Sequence, residues 1–114
     1  MRDISFVSHC EHHLAPINGF VDVAYVPSER IVGISKIARV VECFSRRLQT
    51  QETMTAQIAN CIQDNLMPAG TAVRSRATHA CMTNRGVCKS GTLMTTTTFT
   101  GVFLSDLALS LIHI

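Results

Sequence analysis

The chain is 114 residues long, 46% hydrophobic and 16% charged, with a formal net charge of +2. That length suits one domain, residues 1–114, with a modest core, and the composition excludes an intrinsically disordered chain. The small charge, without basic runs or basic–aromatic interleaving, argues against nucleic acid as a partner, and apolar runs far short of a bilayer span argue against a membrane.

The opening "RDISFVSH" alternates roughly and reads as a strand entering "SHCEHHLAP", residues 8–16. "INGFVDVAYVP", residues 17–27, puts Val21, Val23 and Tyr25 on one side and ends at a proline, which predicts a second strand. From Ser35 the period becomes helical, with Ile37, Val40, Val41, Phe44 and Leu48 on one stripe and Ser35 placed to cap the start. A second helix runs from about Gln51 through Met54, Ile58, Ile62 and Leu66, with Thr50 as its cap and "MPAG" as its stop. Few residues join the two, so they should pack as a hairpin.

After Gly70 the period returns to two, and "TAVRSRATHACM" sets Ala77, His79 and Cys81 on one face of a strand. The threonines of "GTLMTTTTFTGVF", residues 91–103, read as plain β-propensity. The order ββααββ predicts an α+β domain, an antiparallel sheet with two antiparallel helices on one face. An apolar sheet with few charges predicts that another copy of the chain covers the other face.

No secretory leader precedes the five cysteines, so the expectation is a reducing, cytoplasmic setting. Cys43 and Cys61 fall in apolar helical patterns and are expected in the core. Cys10 and Cys81 stand beside histidines instead. Cys10 and His13 make C-x-x-H, a spacing that lets a thiolate and an imidazole converge on one ion, and Cys81 in "THACM" is the further thiol with a histidine nearby. Three ligands leave one coordination position open, as in catalytic zinc, where the pKa of bound water falls from ~15.7 to ~7. A hydrolytic step follows.

His12 and His79 lie next to these ligands, and each is either a proton shuttle or a hydrogen-bonded structural histidine. His9 and His113 are read as structural. Glu11 either orients a ligand or is solvated. Lys36, Arg39 and Arg85 in "NRGV" are either a phosphate clamp, helped by helix N-terminal amides near Ser35, or ordinary solvated cations. Glu52, in the first turn of the second helix, is accounted for by the helix dipole.

Taken together, "CEHHLAP", "VGISKIARVVE", "SRRLQTQE", "THACMTNRGV" and "TTTTFTGVF" resemble, in order and separation, the catalytic domain of GTP cyclohydrolase I, over roughly residues 3–103. The resemblance implies the tunnelling fold, a toroidal homodecamer, and conversion of GTP and water to formate and 7,8-dihydroneopterin triphosphate in folate or tetrahydrobiopterin synthesis. It implies zinc on Cys10, His13 and Cys81, and proton transfer by His12 and His79. It also implies that Glu52 holds the guanine ring with Gln51 as a neighbouring contact, and that Ser35, Lys36, Arg39 and Arg85 bind the triphosphate, some of these residues coming from neighbouring subunits.

Three departures accompany it. The family has a helical segment ahead of the first strand, whereas this chain starts almost on that strand. The tail "LSDLALSLIHI", residues 104–114, does not match, and Arg74 and Arg76 stand where the family carries an apolar residue and an acid. The rival readings are a structural zinc module without activity and a nitrile reductase of the same fold. The reductase uses a cysteine nucleophile, and the pairing of C-x-x-H with Cys81 argues against it.

Overall fold

The computed structural model describes residues 1–11, 14–79 and 93–105. Strand β1 (Ile4–Cys10) pairs antiparallel with β2 (Pro16–Val26), which pairs antiparallel with β4 (Gly70–His79), which in turn pairs with β5 (Met94–Gly101). Alternation in β1 and β2 turns Phe6, Cys10, Ile17, Val21 and Val23 inward, with Tyr25 packed at the margin. Onto that face pack α1 (Ile34–Ser45), over β1, and α2 (Gln51–Leu66), over β4 and β5. They contribute Ile37, Val41, Met54, Ile58, Ala59 and Ile62 to one core.

The helices lie antiparallel. Lys36, Ile37 and Val40, early in α1, line the same groove as Cys61, Ile62, Asn65 and Leu66, late in α2. Thr50 caps α2 as its sequence predicts, its hydroxyl accepting from the Thr53 amide at 3.1 Å. At the other end Met67 turns left-handed (φ 48°) ahead of Pro68, and its N–H donates to the Gln63 carbonyl. Ser35 does not cap α1: the helix begins one residue earlier, Gly33 holds the cap position, and no side chain bonds there.

The link between the helices departs from the expected order. Leu48 does not extend the apolar stripe of α1; with Gln49 it forms a two-residue strand, β3, parallel to the end of β1, and it is 56% exposed. Gln49 holds this link, its side-chain amide donating to the Phe44 carbonyl and to Gln57 Oε1 at 3.1 and 2.8 Å. The sheet order is therefore β3-β1-β2-β4-β5, mixed only at its β3 edge. A short helix, α3 (Val102–Ser105), follows β5 and buries Phe103.

Cys43 is exposed, near Arg47, and Cys61 is half-buried, so neither is the core residue expected of it. The i+4 spacings are correct, but the buried stripe of α1 is narrower than the apolar pattern. Threonine does more than favour extension: the Thr100 hydroxyl donates to Gln63 Oε1 at 2.7 Å, tying β5 to α2.

On the face away from the helices, Asp22, which is 3% exposed, lies opposite Arg74 in the β2–β4 register. Its carboxylate accepts from Arg74 at 3.1 Å and Arg76 at 3.3 Å, and Arg76 also pairs with Asp3 at 2.6 Å. The two arginines that depart from the family pattern are thus paired within the chain. Burial pushes the Asp22 carboxyl up, but the Asp3 amide and the two guanidiniums outweigh it and hold it below the usual range.

Gly19 lies opposite Ala77 of β4, and a Cβ there would lie 2.0 Å from the Arg76 carbonyl oxygen and 2.7 Å from the Ala77 Cα. These are backbone atoms and cannot rotate away. Gly19→Ala is expected to destabilise the fold by about 2–3 kcal/mol, lowering Tm on the order of 10 °C. An unchanged thermal melt would show that β4 can shift without cost.

Candidate active site

Because β1 and β4 are both antiparallel to β2, they run in the same direction and deliver Cys10 and His79 to the same end of the sheet. Ser8, Ile17 and His79 form one row across β1, β2 and β4, with Cys10 two residues further along β1. The Cys10 side chain is turned inward and buried, while His9 points out and is exposed. The Cys10 amide donates to the Ala15 carbonyl at 2.9 Å and the Leu14 amide to the Cys10 carbonyl at 2.8 Å, so the chain reverses tightly after the cysteine. The Glu11 amide donates to the Gln49 carbonyl, so β3 braces this turn while the Glu11 side chain is exposed.

His79 is half-buried, and its Nε2 lies 2.7 Å from Gln51 Oε1. Gln51 is the first residue of α2 and is 2% exposed. Its amide nitrogen donates to the Ser75 carbonyl, the Ser75 hydroxyl and the Met94 carbonyl at 3.0–3.1 Å. The Gln51 side chain, which the resemblance casts as a contact to the base, is thus occupied in holding His79 and bridging β4 to β5. Burial lowers the His79 pKa below its usual value, and the nearby Glu52 carboxylate partly offsets this. Glu52 itself is exposed in the first turn of α2.

Ser35, Lys36 and Arg39 are exposed on α1. Lys36 neighbours Asn65 and Leu66 at the C-terminal end of α2, whereas Gln51, Glu52 and His79 are at its N-terminal end. At 1.5 Å per residue these two ends are about 21 Å apart. Within one chain, Lys36 and the His79 end of the sheet therefore lie at opposite ends of α2. His12, His13, Cys81 and Arg85 lie outside the described residues, and among the described residues no three His, Cys, Asp or Glu side chains converge as a metal site.

Sequence reasoning missed Ser75 and Thr55, both fully buried. The Thr55 hydroxyl donates to the Gln51 carbonyl and meets the Ser75 hydroxyl, each at 2.7 Å. The signal was present: Thr55 is a polar residue on the core face of α2, four positions after Gln51, and Ser75 occupies an inward position of β4.

A sheet of this order with two antiparallel helices on its inner face defines a tunnelling-fold protein. The archaeosine synthase QueF-Like in its apo form has a similar structure, with a TM-score of 0.70 over 85% of this chain and 87% of that one; at 14% identity the likeness is one of fold alone.

The chain belongs to the GTP cyclohydrolase I family, whose sequence model matches residues 1–111. GTP cyclohydrolase 1 of Bartonella quintana (strain Toulouse) is 58% identical over 106 residues, which are 93% of this chain and 52% of that protein. The Bartonella henselae protein of the same name is 59% identical over the same shares. The chain therefore spans about half the length of these curated relatives.

Proposed function

We propose that this chain carries the catalytic domain of a zinc-dependent GTP cyclohydrolase I, converting GTP and water to 7,8-dihydroneopterin triphosphate and formate. The observation that carries this reading is the delivery of a buried Cys10 and a His79 braced by Gln51 to the same end of the sheet. Cys10, His13 and Cys81 would hold zinc: two thiolates and an imidazole are donors that zinc favours, and Cys81 follows His79 by two residues. The bound ion would supply a water activated near neutral pH.

The remaining work falls to the chain's own side chains. A neutral His79 can accept a proton and return it, and His12 is the second group for such transfers. Protonation of the purine N7 by one of them assists opening of the five-membered ring. Glu52, exposed beside His79, suits the guanine edge, because a carboxylate accepts two N–H bonds there and finds no such pair on adenine.

Ser35, Lys36, Arg39 and Arg85 are assigned to the triphosphate. The separation of about 21 Å along α2 supports a site completed by another copy, which contributes its α1 cations to the His79 end. A homo-oligomer, of which the decamer is the form the resemblance implies, follows from that assignment.

Purified, zinc-loaded oligomer incubated with GTP should generate pterin fluorescence after oxidation. Its absence would end the enzyme reading for this chain. Glu52→Gln is expected to lower kcat/KM for GTP about 10- to 100-fold, the worth of a hydrogen bond to a charged group, while zinc content is retained. Equal loss of zinc would assign Glu52 to the metal instead.

A further inference from the structure

The hydrogen bonds behind His79 admit one assignment of protons. The Gln51 nitrogen is fixed by two backbone carbonyls, Ser75 O and Met94 O, because a carbonyl only accepts. Turning the amide over would set its oxygen against both carbonyls at about the same distances, three lone-pair sites with no proton between them. The Thr55 hydroxyl spends its proton on the Gln51 carbonyl. The Ser75 hydroxyl must then donate to Thr55 Oγ1, which leaves its lone pair to share a Gln51 N–H hydrogen with the Ser75 carbonyl. The Thr55 and Ser75 hydroxyls each give once and accept once, and these two residues and Gln51 are at most 2% exposed, so water does not reshuffle them.

What remains is Gln51 Oε1, facing His79 Nε2 at 2.7 Å. An amide oxygen donates nothing, so the ring nitrogen carries the hydrogen. We propose that Gln51, Ser75 and Thr55 are positioning residues that hold the uncharged ring of His79 as its Nε2–H tautomer. This rests on the proposed catalytic role of His79, and it moves Gln51 from the guanine to the histidine. The network also accounts for two buried polar residues between α2 and β4: Ser75 and Thr55 reinforce the amide orientation that the two carbonyls fix.

The test is the tautomer itself. In protein labelled with 15N-histidine, at a pH above the ring's titration, long-range proton–nitrogen spectra should show His79 Nε2 protonated and Nδ1 not; the signal is assigned by its loss in His79→Ala. Protonation at Nδ1 overturns the proposal. In Gln51→Met the ring should relax to a mixture of tautomers, and Ser75→Ala should move it the same way by less.

An unchanged tautomer in both variants also overturns the proposal, and Ser75→Ala serves alone if Gln51→Met fails to fold. In turnover, Gln51→Met should lower kcat on the order of 10²-fold with KM for GTP little changed. A raised KM with unchanged kcat would return Gln51 to the base. If the wild-type protein shows the tautomer but no turnover of GTP, the enzyme reading fails and the network stands.

Discussion

Cys10→Ser is expected to remove zinc and GTP turnover together, whereas His79→Ala keeps zinc and loses turnover by about 10²- to 10⁴-fold, the range for a positioned proton-transfer group. The two residues reach the same end of the sheet from different strands, so the contrast separates holding a metal from moving a proton. Serine is close in size to cysteine but stays protonated at neutral pH, so the buried position remains filled while the anionic ligand is lost. Metal content by elemental analysis, beside the pterin assay, reads both effects. Retention of zinc by Cys10→Ser would remove Cys10 from the ligand set, and loss of zinc by His79→Ala would make His79 a ligand.

Asp22→Asn is expected to destabilise the fold by about 3 kcal/mol, the low end for breaking a buried ion pair because the two guanidiniums are 31% exposed. The carboxylate accepts from the Asp3 amide, Arg74 and Arg76 at once. The Nε atoms of both arginines are already buried without a partner among the described residues, so the cluster has no spare acceptor. Without Asp22, Arg76 keeps Asp3, while Arg74 has no carboxylate among the described residues.

The pH dependence follows from the lowered Asp22 pKa. Its contribution is complete above the unfolded carboxylate value of about 4 and is lost as pH falls through the folded value. Urea melts should show wild type weakening on acidification and Asp22→Asn doing so less steeply. Parallel pH profiles for the two proteins would mean that the cluster contributes nothing to acid sensitivity.

Periodicity made most of the architecture legible. Val21 and Val23 are inward, Thr50 caps α2, the chain turns at Met67–Pro68, and Ala77 and His79 share the helix-facing side of β4. These features are local, set by spacing along a few residues, and a linear pattern contains them. Where the reading failed, a distant contact decided. Leu48 continues a helical stripe in sequence, yet the end of β1 draws residues 48–49 into a strand. Arg74 and Arg76 depart from the family pattern in sequence, and the sheet register supplies their partner by bringing Asp22 across from one of them.

The sequence by itself determined the family motifs, the element order apart from β3 and α3, and the residue types available for zinc, proton transfer and triphosphate. Only the tertiary structure decided which of them meet. It joined Gln51 to His79 across 28 positions and committed Ser75 and Thr55 to fixing that pair. It also put Lys36 at the end of α2 opposite Gln51, the residue that meets His79. The reason is physical: a buried polar group must find its partner wherever the fold brings one, and sequence separation carries no information about that partner.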